Sequence, residues 1–254
     1  MERPLPLTII AALVSLLLFG NEARAQRDVP RFEIGGQFSS LSLNSPSSQD
    51  SLNPYVDNPC KEFDLMCTRV EPGFGARFTY NVTNHVALEV EANFFPGRPL
   101  KEFGGFTPGG VPAGHIYQGQ FGVKAGKRFK KVGLFIKVRP GFVGFTQASH
   151  FTGFRAFTFI HPIFGEEHLE EAEFRIGKAT YPSADLGGVV EFYPSRRIVT
   201  RLDVGDTIIR YGTYREPLGY VCPGIAFICP ARLFERPSET RHNLQFSAGV
   251  GIRF

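Results

Sequence analysis

Apolar and polar residues alternate with period two through eight separate stretches of this chain, the mark of an extended strand with one apolar and one polar face. The stretches are Phe32–Phe38, Phe74–Tyr80, Val86–Phe94, Tyr117–Ala125, Val132–Phe142, Ala184–Phe192, Ile198–Val204 and Leu244–Phe254. The last is the clearest. Leu244, Phe246, Ala248, Val250, Ile252 and Phe254 share one face, and Asn243, Gln245, Ser247, Gly249, Gly251 and Arg253 share the other. Short polar connections at 81–85, 127–131 and 194–197 join the second strand to the third, the fourth to the fifth and the sixth to the seventh, while the remaining connections are long. The pattern predicts an all-β fold: an eight-stranded antiparallel up-and-down transmembrane β-barrel, with tight turns at one end and long extracellular loops at the other.

The two faces differ sharply in charge. One carries Phe74, Ala76, Phe78, Val86, Leu88, Val90, Phe121, Val123, Leu134, Ile136, Val138, Leu186, Val190, Phe192, Ile198, Leu202 and Val204, none of them charged. The alternate face carries Arg77, Lys124, Lys137, Arg139, Arg201 and Arg253 with Glu33, Glu89, Glu91, Asp185, Glu191 and Asp203, six of each sign. An eight-stranded barrel encloses side chains and little else. Charges held there must pair or cost several kcal/mol each. The expectation is a salt-bridged interior rather than an open pore. Parity does not say which face is inside, so a soluble barrel with the charges outward and an apolar ligand within, as in lipocalins, satisfies the same alternation. The short and long connections favour the membrane, because a soluble barrel has no need of that asymmetry.

Both ends of the chain agree with an envelope protein. Met1–Ala25 has a front carrying Arg3, an apolar run from Leu7 to Phe19 and a small-residue Ala23-Arg24-Ala25 site, which reads as a cleaved secretory signal ahead of a barrel domain at 26–254. No later segment approaches the roughly 18 apolar residues of a membrane-spanning helix. At the other end, the Gly249-x-x-Ile252-x-Phe254 pattern closes an apolar strand face on an aromatic residue. With the leader and the eight strands, that ending resembles the outer-membrane β-barrel domain family, the small OmpA/OmpW-type barrels. The resemblance implies a place in the Gram-negative outer membrane, contact with its lipids, and recognition of Gly249, Ile252 and Phe254 by the barrel assembly machinery. It implies no particular activity, since the fold serves anchors, adhesins, conduits and a few lipid-modifying enzymes.

Composition adds little. The formal net charge of +4 survives removal of the leader, which takes two residues of each sign, and a mild excess without a dense basic run argues against nucleic-acid binding. The absence of Trp leaves Tyr80, Phe129, Tyr193 and Phe254 for one interfacial rim and Phe94, Tyr117, Phe145 and Tyr211 for the other. Pro140 predicts a bulge or a strand end in the fifth strand.

Candidate chemistry lies in the outer loops. Cys60/Cys67 and Cys222/Cys229 are two pairs of equal spacing, and an oxidising compartment makes local disulfides the expectation, with cross-loop pairing or zinc binding as rivals. Between Thr146 and Pro182, an aromatic run from Phe151 to Phe164 predicts a hairpin continuing the fifth strand. The acidic run Glu166, Glu167, His168, Glu170, Glu171 and Glu173 reads as solvated loop charge or, more sharply, as a divalent-cation site. Ser149 beside His150 is a weak hint of hydrolytic chemistry without a nucleophile-elbow or metalloprotease motif. The reading is a non-enzymatic integral outer-membrane protein without a cofactor, anchored by its barrel and offering its loops to an extracellular ligand. A narrow porin-like conduit and a lipid-modifying enzyme are the alternatives.

Overall fold

A computed structural model describes residues 29–44, 68–97, 112–161, 165–218 and 232–254. Among the described residues there are ten strands: β1 (Phe32–Asn44), β2 (Thr68–Asn81), β3 (Val86–Phe95), β4 (Ala113–Arg128), β5 (Val132–His161), β6 (Gly165–Phe192), β7 (Ile198–Tyr211), β8 (Tyr214–Leu218), β9 (Arg232–Arg236) and β10 (Glu239–Arg253). Eight close into a barrel in the order β1-β10-β7-β6-β5-β4-β3-β2, and β8 pairs with β9 as a separate hairpin. Every pairing is antiparallel, and closure is made by β10 on β1 from Glu33↔Arg253 to Leu41↔Gln245. Phe32 and Phe254 exchange backbone hydrogen bonds of 2.9 Å at the seam. Closure leaves the barrel wall no free edge.

All eight expected strands are present, and most are longer than alternation predicts. β5 and β6 run on as a two-stranded arm from Val132↔Phe192 to His161↔Gly165, whereas β4 accompanies β5 only as far as Gln147 and β7 accompanies β6 only from Ser183. The acidic run expected in a loop therefore lies along β6, opposite residues 153–160 of β5. At the foot of the arm Phe151 packs on Phe154 and Phe174, with the Arg215 guanidinium of β8 over the Phe151 ring.

Pro140 neither ends β5 nor shifts its register, which is the same on both sides of it. Its missing N–H coincides with a gap in the β4–β5 pairing between Gly141 and Val138. The irregularities lie higher up, between Ala113 and Ile116 and on the β5 side at Phe145/Ala148 and Phe151/Gly153. Gly114, with φ of 74°, takes the left-handed conformation that the first of these requires.

Polarity reverses along the strands. In the lower barrel Ile34, Phe38, Phe121, Ile136, Leu202 and Phe246 point outward and are exposed. Near the upper end the apolar residues move to the inner face: Leu41 and Leu43 on β1, Val143 and Phe145 on β5, Ile209 and Tyr211 on β7. Outward positions there mix polar residues such as Ser42, Thr180, Arg210 and His242 with apolar ones such as Val70 and Ile208, all exposed or half-buried. The lower barrel is apolar outside and polar inside, whereas the upper barrel has an apolar interior and a mixed outer face. Phe145 and Tyr211, expected at the outer rim, are 1% and 2% exposed and belong to the inner core. The lower rim carries the aromatic cluster of Phe32 with Phe78, Tyr80 and Phe254.

Candidate functional site

The barrel interior is the most organised chemical environment among the described residues. Strand alternation sends every second side chain inward, and strong stagger around the closed wall sets residues from distant strands at one level. Glu33, Arg77, Glu89, Glu91, Lys124, Lys137, Arg139, Asp185, Glu191, Arg201, Asp203 and Arg253 all project into the lumen and are buried.

Their pairing is dense. Arg201 donates from Nη2 to Glu89 Oε2 at 3.0 Å and from Nε to Asp203 Oδ2 at 2.6 Å. Lys124 bridges Glu89 at 3.1 Å and Glu191. Lys137 bridges Asp185 at 2.9 Å and Asp203 at 3.1 Å, while Arg77 lies 3.6 Å from Asp203 and donates to Gln37 at 2.9 Å. Arg139 grips Asp185 through Nε and Nη2, at 2.9 and 2.6 Å, and Glu91 through Nη1. Lower down, Arg253 faces Glu33 at 3.1 Å and stacks over the Tyr193 ring, whose hydroxyl donates to Glu191 at 2.8 Å. Burial, reinforced by the Glu191 carboxylate, raises the Tyr193 phenol above its ordinary range, so it stays a neutral donor at this mouth.

Above the ions lies a layer of neutral polar groups that a search for charged residues overlooks, although it follows from the same parity. Gln37 donates to Asn93 at 2.9 Å, Asn93 donates to Gln118 at 2.9 Å, and Gln118 and Gln245 exchange amide hydrogen bonds of 3.0 and 3.1 Å. Thr207 donates to Gln245 at 2.7 Å, and the Ser39 and Ser247 hydroxyls meet at 2.6 Å.

The uppermost layer is apolar. Leu41, Leu43, Phe95, Ile116, Val143, Phe145, Ile209 and Tyr211 form one buried cluster with Tyr181 against it, drawing side chains from β1, β3, β4, β5, β6 and β7. Tyr181 packs on Phe145 at 5.9 Å and on Tyr211 at 4.8 Å between ring centroids. The Arg69–Glu71 pair of β2, 3.0 Å apart, stands beside it.

Outside, the lower wall presents an uncharged belt that includes Phe74, Val90, Phe121, Ile136, Leu202 and Ile252, all more than half exposed. In water each such side chain would forfeit roughly 1.5–3 kcal/mol of available burial. A soluble barrel would reverse this arrangement, placing the belt within and the ions without. This is an antiparallel barrel of the transmembrane type.

No family model matches the chain, and no curated protein matches it. Among solved structures the barrel is similar to Ail, the attachment invasion locus protein of Yersinia pestis, at 11% identity over 89% of this chain and 100% of that one, with a TM-score of 0.42. It is also similar to Neisserial surface protein A, at 10% identity over 88% and 97% with a TM-score of 0.41. The N-terminal β-barrel domain of Pseudomonas aeruginosa OprF follows, at 10% identity over 89% and 98% with a TM-score of 0.38.

The remaining sequence candidates are distributed differently. Gly249, Ile252 and Phe254 lie on or beside β10, with Ile252 and Phe254 exposed on the outer wall. His150 is exposed at the foot of the arm, its Nε2 3.2 Å from the Lys178 carbonyl oxygen. The Met1–Ala25 leader and Cys60, Cys67, Cys222 and Cys229 lie outside the described residues, as do the side chains of Glu166, Glu167, His168, Glu170 and Glu171.

Proposed function

We propose that the protein is a non-enzymatic integral outer-membrane barrel that anchors surface loops and the β5–β6 arm, with its lumen closed to solutes. The observation that carries this reading is the pairing of an uncharged outer belt with a lumen whose charged side chains bind one another. Ions that serve each other at 2.6–3.1 Å already have most of their coordination filled by one another. In this proposal the belt contacts outer-membrane lipid, the closing strand with Gly249, Ile252 and Phe254 is read by the assembly machinery, Met1–Ala25 is removed on export, and two local disulfides brace the first and last loops. Specificity for an extracellular ligand resides above the membrane, where the arm extends past the wall.

The test is made on protein refolded into detergent and then placed in planar bilayers. Heat-modifiable gel migration, a β-type circular dichroism spectrum and no steady current are expected. Steady current would replace this reading with the conduit. Folding that needs no detergent or lipid would replace it with a soluble barrel, and turnover of labelled envelope lipid with an enzyme.

A further inference from the structure

The short-turn end of the barrel carries a charge pattern that a closed lumen does not require. Two of its three tight turns are basic: Lys127, Lys130 and Lys131 stand on the turn from β4 to β5, and Arg196 and Arg197 on the turn from β6 to β7, five exposed cations in all. β5 and β6 are neighbours in the wall, so these turns lie side by side, and the Tyr193 N–H donates to the Lys131 carbonyl oxygen at 2.9 Å between them. Each turn is also closed by bonds of its own. The Phe129 N–H donates to the Val132 carbonyl oxygen at 2.7 Å, and Ser195 Oγ accepts from the Arg197 and Ile198 N–H groups at 3.2 and 3.1 Å. The remaining turn, 81–85, contains no Lys or Arg, and its His85 ring meets the Gly126 carbonyl oxygen at 2.9 Å. The excess of positive charge therefore gathers in the β4–β7 sector.

No Asp or Glu side chain is exposed on the two basic turns or on the strand ends that flank them. Glu191, the carboxylate nearest the β6–β7 turn, is buried in the lumen and bound to Lys124. Like charges this close repel one another within a screening length of about 8 Å, and an anion placed among them relieves that repulsion.

The height of the cations narrows the choice of anion. Lys127 is on the outward face of β4, directly opposite Leu134 of the apolar belt, which is half exposed. Its Nζ lies 5.9 Å from the centroid of the exposed Phe129 ring. On the neighbouring turn Arg197 is followed at once by Ile198, also exposed on the outer wall. Cross-strand partners have Cβ atoms about 5 Å apart. Lys127 can thus lay its stem along the belt and hold its ammonium where hydrocarbon gives way to headgroups. The anion found at that level along the whole edge of the belt is the phosphate of a lipid.

We propose that this sector of the rim binds the headgroups of anionic phospholipids, gathering them beneath β4–β7 in the leaflet that the short turns meet. The proposal rests on the outer-membrane reading above, which supplies the bilayer. A zwitterionic headgroup carries the same phosphate beside a compensating cation and satisfies the patch less well, so the rim discriminates by net headgroup charge. Near an anionic surface each Lys or Arg is worth about a fivefold change in partition, diluted here because one sector contributes to a shell of lipids around the whole barrel.

The test places the refolded full barrel in phosphatidylcholine vesicles with a trace of spin-labelled phosphatidylglycerol or spin-labelled phosphatidylcholine, and electron paramagnetic resonance reads the motionally restricted fraction of each. The wild type should favour the phosphatidylglycerol label by about twofold, and salt at about 0.5 M should remove the preference. Joint replacement Lys127→Gln, Lys130→Gln, Lys131→Gln, Arg196→Gln and Arg197→Gln should abolish it; should that protein not fold, Lys130→Gln with Lys131→Gln should weaken it. Arg210→Gln, at the opposite end of β7, should leave it unchanged. Equal restriction of the two labels, or a preference that survives in a folded rim variant, overturns the proposal. Binding of the detergent-folded barrel to purified peptidoglycan, lost in the rim variant while neither lipid label is preferred, would also overturn it and reassign the patch to the cell-wall polymer. Absence of any restricted lipid, of either label, would instead sink the outer-membrane reading itself.

Discussion

Replacing Arg139 by Met keeps the apolar stem of the side chain and removes the guanidinium, which tests the role of one buried ion. The wild-type guanidinium is fully buried and serves Asp185 through two nitrogens, at 2.9 and 2.6 Å, and Glu91 through the third. In the variant Asp185 keeps Lys137 at 2.9 Å. Glu91 keeps the Asn93 amide at 2.8 Å and has no other cation within ion-pair distance among the described residues. Breaking a buried pair from one side costs about 3–5 kcal/mol, whereas removing both charges is often nearly neutral. Arg139→Met should therefore lose about 3–5 kcal/mol, and adding Glu91→Gln should return much of it, giving a coupling on the order of 2 kcal/mol. The assay is reversible urea unfolding in lipid vesicles, read by tryptophan-free β-sheet dichroism and by the folded fraction on unboiled gels. A loss below about 1 kcal/mol for the single variant, or strictly additive effects in the cycle, would refute the view that these ions are sealed from water.

Three further outcomes test other parts of the structure. Leu202→Arg places a charge in the outer belt and should cost about 2–4 kcal/mol in vesicles if it lies near the bilayer midplane; unaltered stability there would contradict the lipid-facing assignment. Gly144→Val should destabilise the barrel by about 1–3 kcal/mol, because a Cβ at 144 would come within 2.0 Å of the Tyr117 ring and displace the hydroxyl that meets Thr180 at 3.1 Å. The same denaturation series, with Gly144→Ala as the milder member, checks it, and a neutral valine would show that the ring does not need this position. Peptide mapping without reduction should return Cys60–Cys67 and Cys222–Cys229, and a bridge joining the first loop to the last would overturn local pairing.

Strand existence and the two faces were legible because period two is a local property. Lipid on one side and mutual ion pairing on the other impose it residue by residue, so Leu88, Glu89, Val90 and Glu91 announce their directions without any knowledge of their neighbours. Strand length was not legible, because the phase of the pattern changes. On β1 apolar residues occupy even positions through Phe38 and odd positions from Leu41, and on β7 the same change falls between Val204 and Ile209. A reading that follows one phase must stop there, although the backbone continues. The misplacement of Phe145 and Tyr211 at a rim has the same origin.

From the sequence alone came the all-β class, the eight wall strands, the alternation of turns and loops, and the division into an uncharged face and a face of balanced charge. All of these depend on the period of a strand and the spacing of its turns. Which charges meet was decided only in three dimensions: closure of β10 on β1 and the stagger of the wall bring Arg201 to Glu89 and Arg139 to Glu91 across long separations in the chain. The apolar layer was decided there too, since it arises from side chains of several strands converging at one level of a closed lumen, a relation that no linear pattern contains.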